Sequence, residues 1–561
     1  MYLRTIGRRN KDGSEVRYVQ LAHNEWDPER KCAVARVVHN FGREDRLDRE
    51  ALARLVRSLS RVLEPEQALI ATAPEDLQFV RSVPLGGAWA LDGLWRRLGI
   101  DGAVGRLLAE RRLDPRAERL LFAMVANRAL AASSKLACCE WLAGDVAIPG
   151  LAVDAVGEDP QPLYRAMDWL LEIEAQLAEQ VYWATADLLN LVVDLLFFDT
   201  TSTYFERDEP DEETVDEDGV AHPAWRTFGH SKDHREDLPQ VVVGLAVTRT
   251  GIPIRCWCWP GNQGDQPLIR QVKDELREWK LSRVVWVADR GFQSAENRRY
   301  LQRAGGHYII GEKLRGESKE AKLALARQGR YHTVAGNLEI KEVRVDDGTM
   351  RDRFVICHNP EQAERDRAIR EQLIAQLEQE IADSDRLDGA DRATLAARVA
   401  ANRVLKRFVR QTPSGLLRVD RAAVNAEAHL DGKFLLRSSD PTLTGEDIAL
   451  GYKQLLQVER AWRDMKTTLD LRPVHHRKED RIRAHIQLCW LALLLIRIAE
   501  NQTGETWRNL RRELQRLHQG TFRGSAGLVH KTSEITTAQQ RILHKLELEP
   551  PPAFPAVHAA A

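Results

Sequence analysis

Two short apolar runs, each closed by an aspartate, constrain this chain more than any other feature. Leu191-Val192-Val193-Asp194-Leu195-Leu196-Phe197-Phe198 runs into Asp199, and Val284-Val285-Trp286-Val287-Ala288 runs into Asp289, just before the turn residue Gly291. Runs this continuous read as strands buried on both faces, as in a largely parallel sheet. Neighbouring strands lie about 4.8 Å apart. If these two pair side by side, their terminal carboxylates can share ligands on metal ions, and hard oxygen donors select Mg²⁺ or Mn²⁺.

The surrounding texture divides the chain. Residues 1–45 alternate in short segments broken by Lys11-Asp12-Gly13 and Asn24, which predicts a small β-meander. Residues 46–189 turn helical, with apolar helices near Trp89 to Leu98, Arg119 to Ala132 and Leu163 to Leu189. From 190 to 312, strand candidates at Leu191–Phe198, Gln240–Thr248 and Ile252–Trp259 precede a strand and helix alternation that includes Arg283–Ala288 and His307–Ile310. That order predicts an α/β, RNase H-like catalytic core. Residues 313–445 read as a mixed α/β insertion with a helical hairpin near 362–409, carrying Ile369, Leu373, Leu377 and Ile381 on one face. Residues 446–500 return to core helices, and 501–561 read as a basic helical region with a disordered proline- and alanine-rich tail.

A third carboxylate comes from a predicted helix over Tyr452 to Leu469, stopped by Pro473. At 100° per residue, Tyr452, Glu459 and Lys466 fall within about 40° on one face, and Arg463 joins it. Leu455, Val458, Trp462, Met465 and Leu469 form the apolar stripe that would seat this helix on the sheet. An isolated aspartate after a strand is usually a turn or cap residue. Two of them with the Glu459 helix form a candidate metal triad. Asp194 sits five residues from Asp199, so strand alternation sends it to the other face, while Asp237 and Asp265 read as loop residues. Lys232 and Arg235, beside Asp233, fit either a DNA path or a solvated loop. His230 and His234 follow Gly229 in a loop-like context, which disfavours zinc. His475, Arg477 and Lys478 suit phosphate contact.

Net charge is −1, from 82 basic and 83 acidic residues, so any affinity for nucleic acid must be local. Residues 206–218 are acidic, whereas 472–483 and 497–531 lean basic. Seven sparse cysteines without zinc-ligand spacing, and no signal-like N-terminus, predict structural thiols and cytoplasmic residence. The most apolar stretch, Leu488 to Ile496, is about half the roughly 18 residues of a membrane span. No membrane association is expected.

The segments Phe198-Asp199-Thr200-Thr201, Val287-Ala288-Asp289-Arg290-Gly291-Phe292 and Tyr452…Glu459…Lys466, with Leu471-Arg472-Pro473-Val474-His475-His476-Arg477-Lys478, resemble insertion-sequence DDE transposases. The closest resemblance is to the insertion-sequence-four superfamily, in its sixteen-thirty-four-like branch. Gly229 to Leu238 and Pro260-Gly261-Asn262 also resemble stretches between the first two family aspartates. The family signature is Tyr, two residues, Arg, three residues, Glu, six residues, Lys; here Leu455 stands at the Arg position. The resemblance implies Asp199, Asp289 and Glu459 as catalytic metal ligands for two Mg²⁺ or Mn²⁺ ions. It implies DNA contacts by Tyr452 and Lys466, with Arg463 and the basic residues named above beside them. The implied activity is cleavage and strand transfer on the terminal inverted repeats of the protein's own element, by a homodimeric synaptic complex on the nucleoid, with residues 46–189 the possible end reader. A catalytically silent DNA-binding descendant and a structure-specific RNase H-like nuclease are the competing readings.

Overall fold

A computed structural model describes residues 1–11, 13–63, 77–152, 156–189, 195–215, 219, 221–279, 284–315, 318–346, 351–524 and 527–559. Asp194 and the first part of the run before Asp199 lie outside these residues. Contacts divide the chain into two units: Met1–Val83 with Leu517–Glu534 and Pro551–Ala561, and Pro84–Arg516 with Ile535–Pro550.

The first unit holds two sheets. Tyr2–Arg9, Glu15–Asp27 and Cys32–Arg43 form a three-stranded meander with Glu15–Asp27 in the middle. Gln78–Pro84 joins His518–Gly524, Gly527–Thr532 and Ala556–Ala559 in a four-stranded sheet. The region expected to be helical with a disordered tail therefore contributes three strands; the first of them, His518–Gly524, neighbours Gln78–Pro84 from the far end of the chain, a partnership no local pattern reveals.

The second unit is built on one nine-stranded mixed sheet. Its strands are β1 (Leu195–Tyr204), β2 (Gln240–Val247), β3 (Pro253–Pro260), β4 (Val285–Ala288), β5 (His307–Glu312), β6 (His332–Ala335), β7 (Leu338–Asp346), β8 (Arg351–His358) and β9 (Lys433–Ser438). Their spatial order is β6-β7-β8-β9-β5-β4-β1-β2-β3. β1, β2 and β3 run antiparallel, and β4 pairs parallel with both β1 and β5. The continuous apolar runs follow from burial on both faces: every residue of β2 and β4 is buried. The insertion does not make a sheet of its own. Through β9, which pairs with both β5 and β8, it extends the central one.

Helices cover the sheet. Ala117–Ala131, Gln161–Leu188 and Glu479–Thr503 pack on one another, and the last two press on β3. Residues 86–188 share a single hydrophobic core with the sheet, so this helical region has no separate core of its own. Glu479–Thr503 is long and apolar enough to cross a membrane, yet 94% of that window is buried inside the fold, which marks it as a core helix. In the insertion, Pro360–Ile381 and Gly389–Ala401 enclose a small core of Ile374, Leu377, Ile381, Val399, Leu405, Phe408 and Leu417. Ile369, expected on the packed face, is instead exposed.

Candidate active site

β1 does not end at Asp199; it continues to Tyr204, with Asp199 opposite Leu245 of β2. The shorter β4 creates the opening. Its last residue, Ala288, pairs with Phe198 in parallel register, so Asp199 and Asp289 each follow directly on the last paired position of adjacent strands. Asp289 caps the turn Arg290–Phe292, and its Oδ1 accepts a hydrogen bond from Gly291 N at 2.6 Å. A side chain at 291 would stand only 2.7 Å from that oxygen, so glycine keeps the carboxylate's surroundings open.

Burial raises the Asp199 carboxyl to about 6, and the charge of Asp289 adds to the effect. Lys232 opposes both: its Nζ lies 3.9 Å from Asp199 Oδ1 and 3.2 Å from Asp265 Oδ2, and donates to Thr200 O at 2.8 Å and Thr200 Oγ1 at 2.5 Å. Asp265 is not a loop residue. It opens the helix Asp265–Glu278, and its Oδ1 accepts from Thr200 Oγ1 at 2.6 Å. Sequence reasoning missed it, although an Asp between Gly264 and Pro267 ahead of an amphipathic run is a helix-start signal.

The predicted helix over Tyr452 to Leu469 is two helices, Gly445–Lys453 and Leu456–Thr467, broken at Gln454 and Leu455. Tyr452 and Glu459 therefore do not share one helix face, which removes the geometric basis expected for that pairing. They still meet in space: Asp289, Tyr452, Leu455 and Glu459 line one cleft of about 810 Å³. Burial pushes the Tyr452 phenol up, and the charges of Asp289, Glu459 and Asp199 push it further. It lies over Gly311 of β5, where a Cβ would collide with it. Val458, Trp462 and Met465 are buried and seat the second helix on β1 and β2, while Glu459 is exposed toward the cleft.

Among the described residues no three of His, Cys, Asp and Glu stand together closely enough to hold a metal ion as they are. The donor chemistry nonetheless suits a hard dication: two carboxylates adjacent by register, a third on the cleft that Asp289 lines, and the Lys232 ammonium seated among acids as a stand-in cation.

The family described as "Transposase DDE domain" matches residues 197–495, more than half of the chain, and that described as "IS1634 family transposase, N-terminal domain" matches residues 3–69. The chain belongs to the IS1634-like DDE transposases. No curated protein matches it. Among solved structures, the cryo-EM piggyBac transposase synaptic complex with hairpin DNA aligns at 10% identity and a TM-score of 0.35, over 76% of this chain and 78% of that one.

In this transposase, Leu455 is buried at the start of the Glu459 helix. Of the nearby arginines, Arg460 pairs with Glu500 at 2.9 Å and Arg463 is exposed. Lys466 is paired with Asp233 at 2.7 Å, and Arg472 holds the same carboxylate at 2.5 Å. The 231–235 segment is thus tied to the Glu459 helix, and its Lys232 points into the acidic site instead of outward. Arg235 pairs with Asp237 at 2.8 Å and lies over the Tyr204 ring. His475, Arg477 and Lys478 are exposed.

Proposed function

We propose that this transposase binds the terminal inverted repeats of its own insertion sequence and carries out metal-dependent strand cleavage and strand transfer there, from an RNase H-like core formed by β1 to β5. The observation that carries this reading is the parallel register of Phe198 with Ala288, which sets Asp199 and Asp289 side by side, with Glu459 on the cleft that Asp289 lines. These three residues would hold two Mg²⁺ or Mn²⁺ ions. When bound, such a pair supplies activation of the attacking oxygen and stabilisation of the departing one.

The chain's own residues supply the rest. Arg290 and Lys453 line the cleft and would offset the phosphodiester charge at the scissile position. Tyr452, buried against Gly311, offers a fixed hydroxyl to the strand beside it. Lys232, 3.9 Å from Asp199, restrains the rise of its carboxyl. Exposed Arg463, His475, Arg477 and Lys478 would contact the backbone, as would Arg235 beside Tyr204. Residues 46–189 are proposed to read the ends, in a homodimer that brings two ends together.

The deciding experiment incubates labelled element ends and target DNA with the wild type and Asp199→Asn in Mg²⁺. Joined products from the wild type, and bound but uncut ends with the variant, are expected. Cleavage by the variant refutes the assignment, and cut but unjoined products from the wild type point to a nuclease.

A further inference from the structure

A second cavity, of about 320 Å³, is walled by residues other than the three acids and Lys232. Its inner side is basic. Arg128, Lys135 and His485 are 3%, 4% and 5% exposed, and His476 completes the wall. Buried cations normally come with a carboxylate. Here the one acid lining the cavity is Asp470, an exposed residue at its rim, and among the described residues Lys135 has no ion-pair partner. Two further atoms on this wall are buried without a hydrogen-bond partner, Arg128 Nε and His485 Nδ1. The Arg128 amino groups are already placed, donating to the carbonyls of Leu469 and Ser133.

The electrostatics follow from that arrangement. Burial pushes the Lys135 ammonium down to about 8 and the His476 imidazole down to about 3, and neighbouring cations add to both shifts. The charge of an anion in the cavity would oppose both shifts. The backbone contributes as well, since Lys135 is the first residue of the helix Lys135–Gly144, whose N-terminus carries partial positive charge. The rim is open to a large partner: Ser134 and His475 are exposed, and His475 belongs to the basic segment that follows the Glu459 helix.

We propose that this cavity binds one backbone phosphate of the DNA on which the transposase acts, with Arg128, Lys135 and His485 as its floor and the first turn of Lys135–Gly144 as its wall. The proposal rests on the DNA reading given above. It differs from the exposed basic cluster in what it does. Surface cations attract a duplex at any register, whereas a buried socket accepts a phosphate at one position and so fixes where the strand lies.

The test uses the full chain without metal. Thermal unfolding of the wild type is followed against inorganic phosphate, with chloride at matched ionic strength as control, and binding of a fluorescent duplex is followed against salt. Lys135→Met keeps the side-chain length and removes the charge. Ser134→Asp keeps a good helix cap but sets a carboxylate at the mouth. Phosphate should raise the wild-type midpoint beyond the chloride control and leave both variants unmoved. The slope of log K against log salt should fall by about one in Lys135→Met. Absence of a phosphate effect in the wild type, or an equal effect in both variants, overturns the pocket. A phosphate effect abolished in the variants with the DNA slope unchanged overturns the DNA assignment. A wild type that takes phosphate but no duplex refutes the DNA reading itself, while the phosphate arm still reports the cavity.

Discussion

The Lys232 ammonium lies 3.9 Å from the Asp199 carboxylate, reaching in from a loop 33 residues further along the chain. Burial and Asp289 drive the Asp199 carboxyl up to about 6, and Lys232 restrains the rise. In Lys232→Met the midpoint should therefore climb further. A carbon-13 carboxyl titration of the metal-free protein reads this directly, and an unmoved Asp199 midpoint would show that the ammonium is not its counter-ion.

Stability should also depend on pH through Asp199. Its folded value, about 6, lies above the ordinary 3.8, so between these values the folded state binds more protons than the unfolded chain. Stability then falls as pH rises through that window, by a total on the order of 3 kcal/mol, and the loss is complete above the folded value. Asp199→Asn removes the effect. Urea unfolding in chelator should find the variant more stable than wild type at neutral pH and equal to it below about pH 4. Equal midpoints at neutral pH would contradict the burial argument.

The junction between core and insertion depends on Asp352. This buried carboxylate takes Arg437 Nε at 2.5 Å and the Tyr308 hydroxyl at 3.0 Å, joining β8, β9 and β5. Asp352→Asn removes the closer negative charge and leaves the buried Arg437 guanidinium with Glu312, at 3.4 Å, as its remaining carboxylate partner. A loss of about 3–5 kcal/mol is expected, since one member of a buried pair is left uncompensated. Chemical denaturation measures it, and a loss below about 1 kcal/mol would mean that Glu312 takes over the charge.

Gly311→Ala sets a methyl group against the Tyr452 hydroxyl. Overpacking of this kind costs about 1–3 kcal/mol and should displace the phenol from the cleft, lowering cleavage more than end binding. Adding Tyr452→Phe removes the colliding oxygen and should recover part of the stability but none of the activity. Full activity in Gly311→Ala would place the productive hydroxyl elsewhere.

What was legible in the sequence was whatever burial on both faces writes into local composition. Phe197 to Asp199 and Val285 to Asp289 could be read because a central strand tolerates little but apolar residues. The Val458, Trp462, Met465 stripe was legible for the same reason. The break at Gln454 and Leu455 was not, since neither residue disfavours a helix; the kink lets Leu455 turn inward beside the cleft, a tertiary preference. Nor could the nitrogen-rich wall around Lys135 be foreseen. Its members come from three helices and a loop more than 300 residues apart, and each looks ordinary in its own neighbourhood.

The shared strand β9 limits how this molecule could be shortened. Excising residues 313–445 whole would strip β5 of its neighbour and leave a bare row of amide and carbonyl groups, a template for pairing with another copy. Trimming the helical lobe while sparing the β8–β9 pair avoids that exposure. A minimised enzyme must therefore keep two strands of what looks, on a linear map, like dispensable cargo.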